Sequence, residues 1–111
     1  MTGADRHRWQ HILEAAEAVA LYAAVGHDEF RRDAIRQDAC VYRLLVIGEA
    51  ATWLASSLGS ASDLDELRAA ADMRNFLIHE YWKTDIDVLW QAVTEDIPRF
   101  AAKIRRIVDE A

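Results

Sequence analysis

The residues best suited to chemistry lie together in one short segment, MRNFLIHEYWK, at positions 73–83. Arg74, Asn75 and His79 stand there among apolar residues, and Tyr81 follows two residues later. Histidine titrates near neutrality and can transfer protons, whereas arginine stays charged and its planar guanidinium matches phosphate oxygens. These residue types would suit proton transfer at a phosphate group.

A helical wheel at about 100° per residue places Asn75 and His79 on one face, and Arg74 almost in register with Tyr81 two turns on. Arg74 and His79 are roughly 140° apart by the same geometry. The two side chains can meet at one site only if the long arginine side chain extends around the helix, if the helix bends, or if a second subunit supplies one of the two residues. A solvated helix edge would show the same residue types, so the spacing permits a site without requiring one.

Composition favours a single all-α domain over residues 1–111. The chain has 111 residues, four glycines and one proline, and it is rich in Ala, Leu, Glu and Arg, which lose little freedom in a helix. The formal net charge of −6 argues against a general nucleic-acid scaffold. It leaves room for a few arginines converging at one cleft, particularly if a symmetric partner doubles them.

The sequence also suggests where the protein is found. The longest charge-free stretch, residues 50–62, is too short and too rich in serine to cross a bilayer, and the N-terminus lacks the apolar core of a signal peptide. The single cysteine, Cys40, lies in a helical pattern and is expected to be a buried thiol. We expect a cytoplasmic protein that does not contact the membrane.

Apolar spacing predicts the first half of the bundle. A first helix runs from about Asp5 to Val25, with Asp5 as N-cap and Gly26 as the C′ residue. A short turn or helical turn at 27–32 precedes a second long helix from Asp33 to Leu58, which Gly59 ends. Its predicted buried face comprises Ile35, Ala39, Tyr42, Leu45, Val46, Ala50, Trp53, Leu54 and Leu58.

The second half contains two more helices. The third starts at Ser62 or Asp63 and ends near Trp82–Lys83, and Thr84 or Asp85 caps the last one. Pro98 lies inside the last pattern and should kink it or begin a new turn. The sequence therefore predicts an up-down bundle of four main helices plus a short extra helix.

Three features together resemble a known family. They are Arg-x4-His-x-Tyr at Arg74, His79 and Tyr81, the stretch QDACVYRLLVIGEAA at 37–51, and MRNFLIHEYWKTDIDVLWQAVTEDIP at 73–98. In this order they resemble the HepT-like toxins, a branch of the HEPN superfamily, over most of the chain. The resemblance implies a HEPN-like fold and the toxin component of a toxin–antitoxin pair.

The resemblance further implies a metal-independent endoribonuclease with no cofactor, whose substrate RNA supplies its own nucleophile, the 2′-hydroxyl. His79 would act as general acid or base and Arg74 would stabilise charge on the phosphate. Asn75 could orient His79 or donate to the phosphate. One histidine cannot easily serve as acid and base in the same step, so we expect a homodimer that pairs two motif helices.

Other charged residues have weaker roles. Glu49, amid apolar residues, could neutralise Arg74 or orient His79, or could be an ordinary helix-surface glutamate. Asp85 and Asp87 are predicted to be helix caps. His7 and His11 share a helix face at a spacing that zinc sites also use, but no third ligand accompanies them, so a solvated face is favoured.

Tyr81 receives its role from the resemblance alone. In HepT-like toxins this tyrosine is the residue to which a minimal nucleotidyltransferase antitoxin of the MntA type attaches AMP. Two alternatives remain at this point. One is a catalytically silent helical adaptor that binds a nucleotidyltransferase partner, and the other is an RNA- or nucleotide-binding regulator without turnover.

Overall fold

The computed structural model describes residues 2–59, 65–80 and 85–110. These residues form six α-helices, numbered here in chain order: α1 Gly3–Ala23, α2 His27–Arg32, α3 Ala34–Leu58, α4 Asp65–Glu80, α5 Ile86–Gln91 and α6 Ile97–Glu110. A π-helical turn, Ala92–Asp96, joins α5 to α6. The described residues contain no strand, which confirms the all-α class, and α2 is the predicted short extra helix.

The first helix begins earlier than the sequence predicted. Thr2 is its N-cap: the Thr2 hydroxyl accepts a hydrogen bond from the backbone N–H of Asp5 at 3.0 Å. The Asp5 carboxylate accepts one in return from the backbone N–H of Thr2 at 3.2 Å. This is a capping box, in which Asp5 occupies the third helical position. The prediction that Asp5 is the N-cap was therefore wrong. Aspartate is favourable both at the N-cap and at the third helical position, so its presence does not distinguish the two.

Asp5 also connects the start of α1 to the end of α3. Its side chain is buried, and its Oδ1 accepts a hydrogen bond from the Ser57 hydroxyl at 2.9 Å. This bond, followed by the bond from the Thr2 backbone, lowers the pKa of the Asp5 carboxyl. Hydrogen bonds to the ionised form thus allow a carboxylate to lie between two helices.

A glycine makes the connection from α1 to α2. Gly26 was predicted as the C′ residue of the first helix, but α1 ends at Ala23 with Ala24 as its C-cap. Gly26 instead precedes α2 as its N-cap, with a φ of 93° that favours glycine. The tight connection directs the fully buried Phe30 of α2 into the core.

The central helix, α3, begins and ends as predicted. The Asp33 side chain caps it by accepting from the backbone N–H of Arg36 at 3.1 Å, and Gly59 ends it with a φ of 57°. By length and composition α3 could span a membrane, a test that buried core helices also pass. It packs on α1 along one side and on α4 along another. Its Cys40 is fully buried as predicted, and burial raises the pKa of the thiol to about 11.

The predicted buried face of α3 was partly wrong. Ala50 and Leu54 are buried, but Ile35 is 82% exposed and Tyr42 is 61% exposed. Both lie about 120–140° round the helix from Gly48, which faces α4. At these two positions the described residues leave the side chains largely exposed, so apolar spacing predicted a burial that the described contacts do not provide. The remaining predicted positions, Ala39, Leu45, Val46, Trp53 and Leu58, are half-buried.

Helix α4 contains most of the motif and runs antiparallel to α3, since few residues separate the two helices. It buries Leu67, Ala70 and Leu77. The predicted ends of this helix, at Ser62 or Asp63 and at Trp82–Lys83, lie outside the described residues.

The last two helices follow each other through the π-helical turn with helical backbone angles at both junctions. Asp85 caps α5 as predicted, and its side chain accepts from the backbone N–H of Asp87 at 2.8 Å; the alternative cap, Thr84, is not among the described residues. Pro98 is the second residue of α6, directly after the π turn. A proline without an N–H is tolerated in the first turn of a helix. The prediction that Pro98 begins a new turn is confirmed.

Candidate active site

The site is organised by the close approach of α4 to Gly48 of α3. A Cβ atom added at Gly48 would lie 2.8 Å from the backbone carbonyl oxygen of Ala70 and 3.1 Å from Cγ of Arg74, and it would overlap the Cβ of Arg74. Only glycine permits this separation of the two helices. In the segment Ile47–Gly48–Glu49–Ala50, the side chains of Ile47 and Ala50 are buried in the core. Gly48 contacts the base of the Arg74 side chain.

The contact with Gly48 holds the base of the Arg74 side chain. Cβ and Cγ of Arg74 lie against Gly48, and the side chain is half-buried. At its far end Nη1 donates a hydrogen bond to Oδ1 of Asn75 at 3.1 Å. Both ends of a long, flexible side chain are thus restrained, which reduces the entropy lost when the guanidinium binds an anion. The amide NH₂ of Asn75 donates no hydrogen bond to any residue in the described ranges.

Asn75, Ile78 and His79 lie on the outward side of α4. All three are exposed, with Ile78 at 51%. At about 100° per residue they lie 40–140° from Arg74 on the flank away from buried Leu77. His79 is five residues beyond Arg74, about 7.5 Å along the helix axis. Arg74, Asn75 and His79 therefore border one surface: Arg74 bonds Asn75, and His79 forms no hydrogen bond with either of them.

Glu49 faces the same surface from α3. It is exposed and lies about 100° round α3 from Gly48, on the side that corresponds to Asn75 and His79 in an antiparallel pair. We call this surface the open face: the outward flanks of α3 and α4, comprising Ile35, Tyr42 and Glu49 of α3 and Arg68, Asp72, Asn75, Ile78 and His79 of α4. Within the described ranges Glu49 forms no ion pair with Arg74 or His79.

The open face is unusually apolar at one end. Ile35 and Tyr42 come from the first half of α3, and Ile78 comes from the last turn of α4. Because the two helices are antiparallel, these residues gather at the same end as His79. Exposed apolar groups clustered in this way mark an interaction surface more often than chance exposure does.

Tyr81 lies outside the described residues, and His7 and His11 lie on α1, away from the open face. Tyr81 is not among the described residues, so its expected place beside Arg74 stays a prediction. His7 and His11 lie on α1 with ring centroids 4.2 Å apart. The described parts of the chain hold no group of three or more His, Cys, Asp or Glu residues able to bind a metal.

A second polar cluster was missed by the sequence analysis. His27 Nε2 lies 3.1 Å from Oδ1 of Asp87, and Arg31 of α2 bonds the same oxygen. The Arg31 bond, then the His27 bond, lowers the pKa of the Asp87 carboxyl. The His27 ring stacks on Trp90, with centroids 5.0 Å apart and planes 12° apart. Asp87 was predicted to be a cap, but its carboxylate instead attaches α2 to α5.

Comparison with known proteins identifies the relatives of the chain. The family model described as "Ribonuclease HepT-like" matches residues 12–107. The "Probable ribonuclease HepT" of Thermococcus cleftensis is 31% identical over 99 residues, which cover 88% of this chain and 90% of that protein. A "Putative RNase" of Caldanaerobacter subterraneus subsp. tengcongensis is 26% identical over 102 residues, covering 91% of each chain.

A third relative is longer. The "Gamma-glutamylcyclotransferase and putative RNase" of Methanocaldococcus jannaschii is 32% identical over 101 residues, which are 90% of this chain but 46% of that protein. The chain thus spans about half the length of this relative. No solved structure matches the chain.

Proposed function

The chain belongs to the family of HepT-like ribonucleases, and from this premise we propose that it cleaves RNA without a metal ion at the surface bordered by Arg74, Asn75 and His79. The observation that supports this site most directly is the Gly48 contact, which fixes the base of Arg74 and leaves its guanidinium at the open face. A silent helical adaptor would have no reason to keep this arginine together with His79 on one helix.

The proposed reaction uses the nucleophile of the substrate. His79 removes the proton from the RNA 2′-hydroxyl, the 2′-oxygen forms a bond to the adjacent phosphorus, and the bond from phosphorus to the 5′-oxygen breaks. The leaving 5′-oxygen takes a proton, and the product strand ends in a 2′,3′-cyclic phosphate. An exposed histidine on the last turn of α4 can reach a substrate without a conformational change.

Arg74 and Asn75 would stabilise the charge that develops on phosphorus. The guanidinium presents paired N–H donors to the non-bridging oxygens, and the amide NH₂ of Asn75 can add another hydrogen bond. Preorganised donors of this kind contribute most when they need not rearrange during the reaction. Glu49 lies on the same surface without bonding either residue, so its contribution would be to orient His79 once substrate is bound.

The second proton-transfer group would come from another copy of the chain. One His79 cannot give a proton to the 5′-oxygen while it takes one from the 2′-hydroxyl. The exposed apolar residues Ile35, Tyr42 and Ile78 lie at the His79 end of the open face, where a twofold partner would cover them. We therefore place a homodimer across this end, with two motif helices lining one cleft.

The test of this function is cleavage of single-stranded RNA by the purified chain. We expect cutting to persist in excess EDTA and to stop when the 2′-hydroxyl at the cut position is replaced by hydrogen, because the substrate then lacks its nucleophile. Light scattering of the same sample should give the mass of two chains. Cleavage that disappears with EDTA and returns with a divalent ion would overturn the metal-free mechanism. RNA binding without cleavage would favour the regulator instead.

Tyr81 gives the proposed route of control. We place the protein in the cytoplasm as the toxin of a pair, neutralised when an MntA-like nucleotidyltransferase transfers AMP from ATP to the Tyr81 hydroxyl. The new phosphodiester adds about one negative charge and a bulky base close to the motif helix, so RNA would be excluded by occupancy and repulsion.

Intact-mass measurement after co-expression with such a nucleotidyltransferase tests this route. Wild-type chain should gain the mass of one or more AMP groups and lose RNA cleavage, while its melting temperature stays the same. Tyr81→Phe keeps the ring but removes the acceptor oxygen, so it should gain no mass. An equal increment in both chains would place the modification on another residue.

A further inference from the structure

The exposed side of α4 continues beyond the residues assigned to catalysis. Arg68, Asp72, Asn75 and His79 follow one another at spacings of four, three and four residues, and all are exposed. At about 100° per residue they lie within an arc of about 60°. The row extends about 16 Å along the helix axis from His79 to Arg68, towards the polar end of the open face.

Arg68 bonds no residue that the structure describes, whereas four of the eleven arginines lie in ion pairs. Arg31, Arg32, Arg36 and Arg99 each lie within ion-pair distance of a carboxylate. Arg68 forms no hydrogen bond or ion pair anywhere in residues 2–59, 65–80 and 85–110. Asp72, one turn further along the same row, is close enough to weaken its field but is not bonded to it. An unpaired guanidinium on a chain of net charge −6 is free to bind an anion.

We propose that Arg68 binds a backbone phosphate of the RNA substrate two to three nucleotides from the cut, and that the strand runs along α4 from His79 towards Asp65. Arg68 lies six residues before Arg74, about 9 Å along the axis. A stacked strand advances about 3.4 Å per nucleotide, so this separation corresponds to two to three phosphates. The inference rests on the proposed function for the identity of the substrate.

Asp72 places a negative charge on the proposed path of the RNA, opposite to the positive charge of Arg68. Its carboxylate lies between Arg68 and the Asn75–His79 pair, so a strand that follows the row passes next to it. The negative charge would repel the backbone, and removing this charge should strengthen binding. A strand that crosses α4 in another direction would be insensitive to both residues.

Steady-state cleavage and RNA binding by Arg68→Ala and Asp72→Asn test the path. We expect Arg68→Ala to raise KM about two- to fivefold with kcat unchanged, because it loses one exposed charge contact away from the reacting atoms. Asp72→Asn should lower KM by about twofold on the same reasoning. In binding assays on single-stranded RNA, Arg68→Ala should reduce the slope of log K against log salt concentration by about 0.7, the value for one phosphate contact.

Arg106→Ala is the matched control, since it removes the same charge from an exposed position on α6. An effect of Arg68→Ala no larger than that of Arg106→Ala, or an unchanged salt slope, would overturn the inference while cleavage by the wild type continues. Failure of the wild type to cleave RNA is a different result, and it would count against the proposed function. In that case the binding slope still decides whether Arg68 contacts a phosphate.

Discussion

Replacing His79 by alanine is expected to slow RNA cleavage by about 10²- to 10⁴-fold, the usual contribution of a general acid or base. The side chain is exposed on the last turn of α4, so its removal leaves no cavity and the melting temperature should stay within a degree or two of the wild type. The measurement is the single-turnover rate on labelled RNA, with circular dichroism to follow unfolding.

Two variants make the His79 result specific. His7→Ala removes an exposed histidine from α1 and should leave cleavage unchanged. Arg74→Lys keeps the charge and the stem against Gly48 but loses the planar fork, so it should also lose most activity while remaining folded. Full cleavage by His79→Ala would remove this histidine from the mechanism and leave the adaptor as the better description.

Replacing Gly48 by alanine is expected to destabilise the protein and to reduce cleavage further than the lost stability explains. The added methyl group would overlap Cβ of Arg74 and approach the Ala70 carbonyl, and neither atom belongs to the far end of a flexible side chain. The helices α3 and α4 must separate, at a cost of about 1–3 kcal/mol for overpacking. Arg74 would then move from its position at the open face.

Gly3→Ala is the control for this substitution. Gly3 lies in the first turn of α1, and an added Cβ would meet no atom within 4 Å. Alanine should therefore be neutral or slightly stabilising there, because it restricts the unfolded chain. Urea unfolding of both variants, together with cleavage rates measured where each is fully folded, separates the two effects. A Gly48→Ala chain as stable and active as the wild type would show that the close approach is not needed.

Local sequence signals predicted both ends of α3 and the start of α5. Asp33, Gly59 and Asp85 lie at the predicted boundaries, because capping uses side chains that bond within a few residues of themselves. Asp5 was assigned to the wrong cap position because the same local chemistry allows two positions. Pro98 was placed correctly since its lack of an N–H is a property of the residue alone.

Contacts between distant segments could not be predicted in the same way. Ile35 and Tyr42 have the spacing of buried residues, and only the positions of the neighbouring helices show that they are exposed. The motif predicted Arg74, Asn75 and His79 as the candidate site, but the part played by Gly48 depends on how α4 crosses α3. The contact of Asp87 with His27 joins residues 60 positions apart, and no local pattern indicates it.

The π turn at Ala92–Asp96 has a consequence for how lineages of this protein can change in length. Such a turn holds one residue more than an α-helical turn, with the surplus residue absorbed locally. A descendant that loses one codon there can close the turn into ordinary α-helix and keep Leu89 of α5 and Ile104 of α6 facing inward. The same loss further along α6 would rotate the residues that follow by about 100° and turn buried side chains outward. Length variation among descendants should therefore collect at this turn, and alignment gaps in this half of the protein belong there.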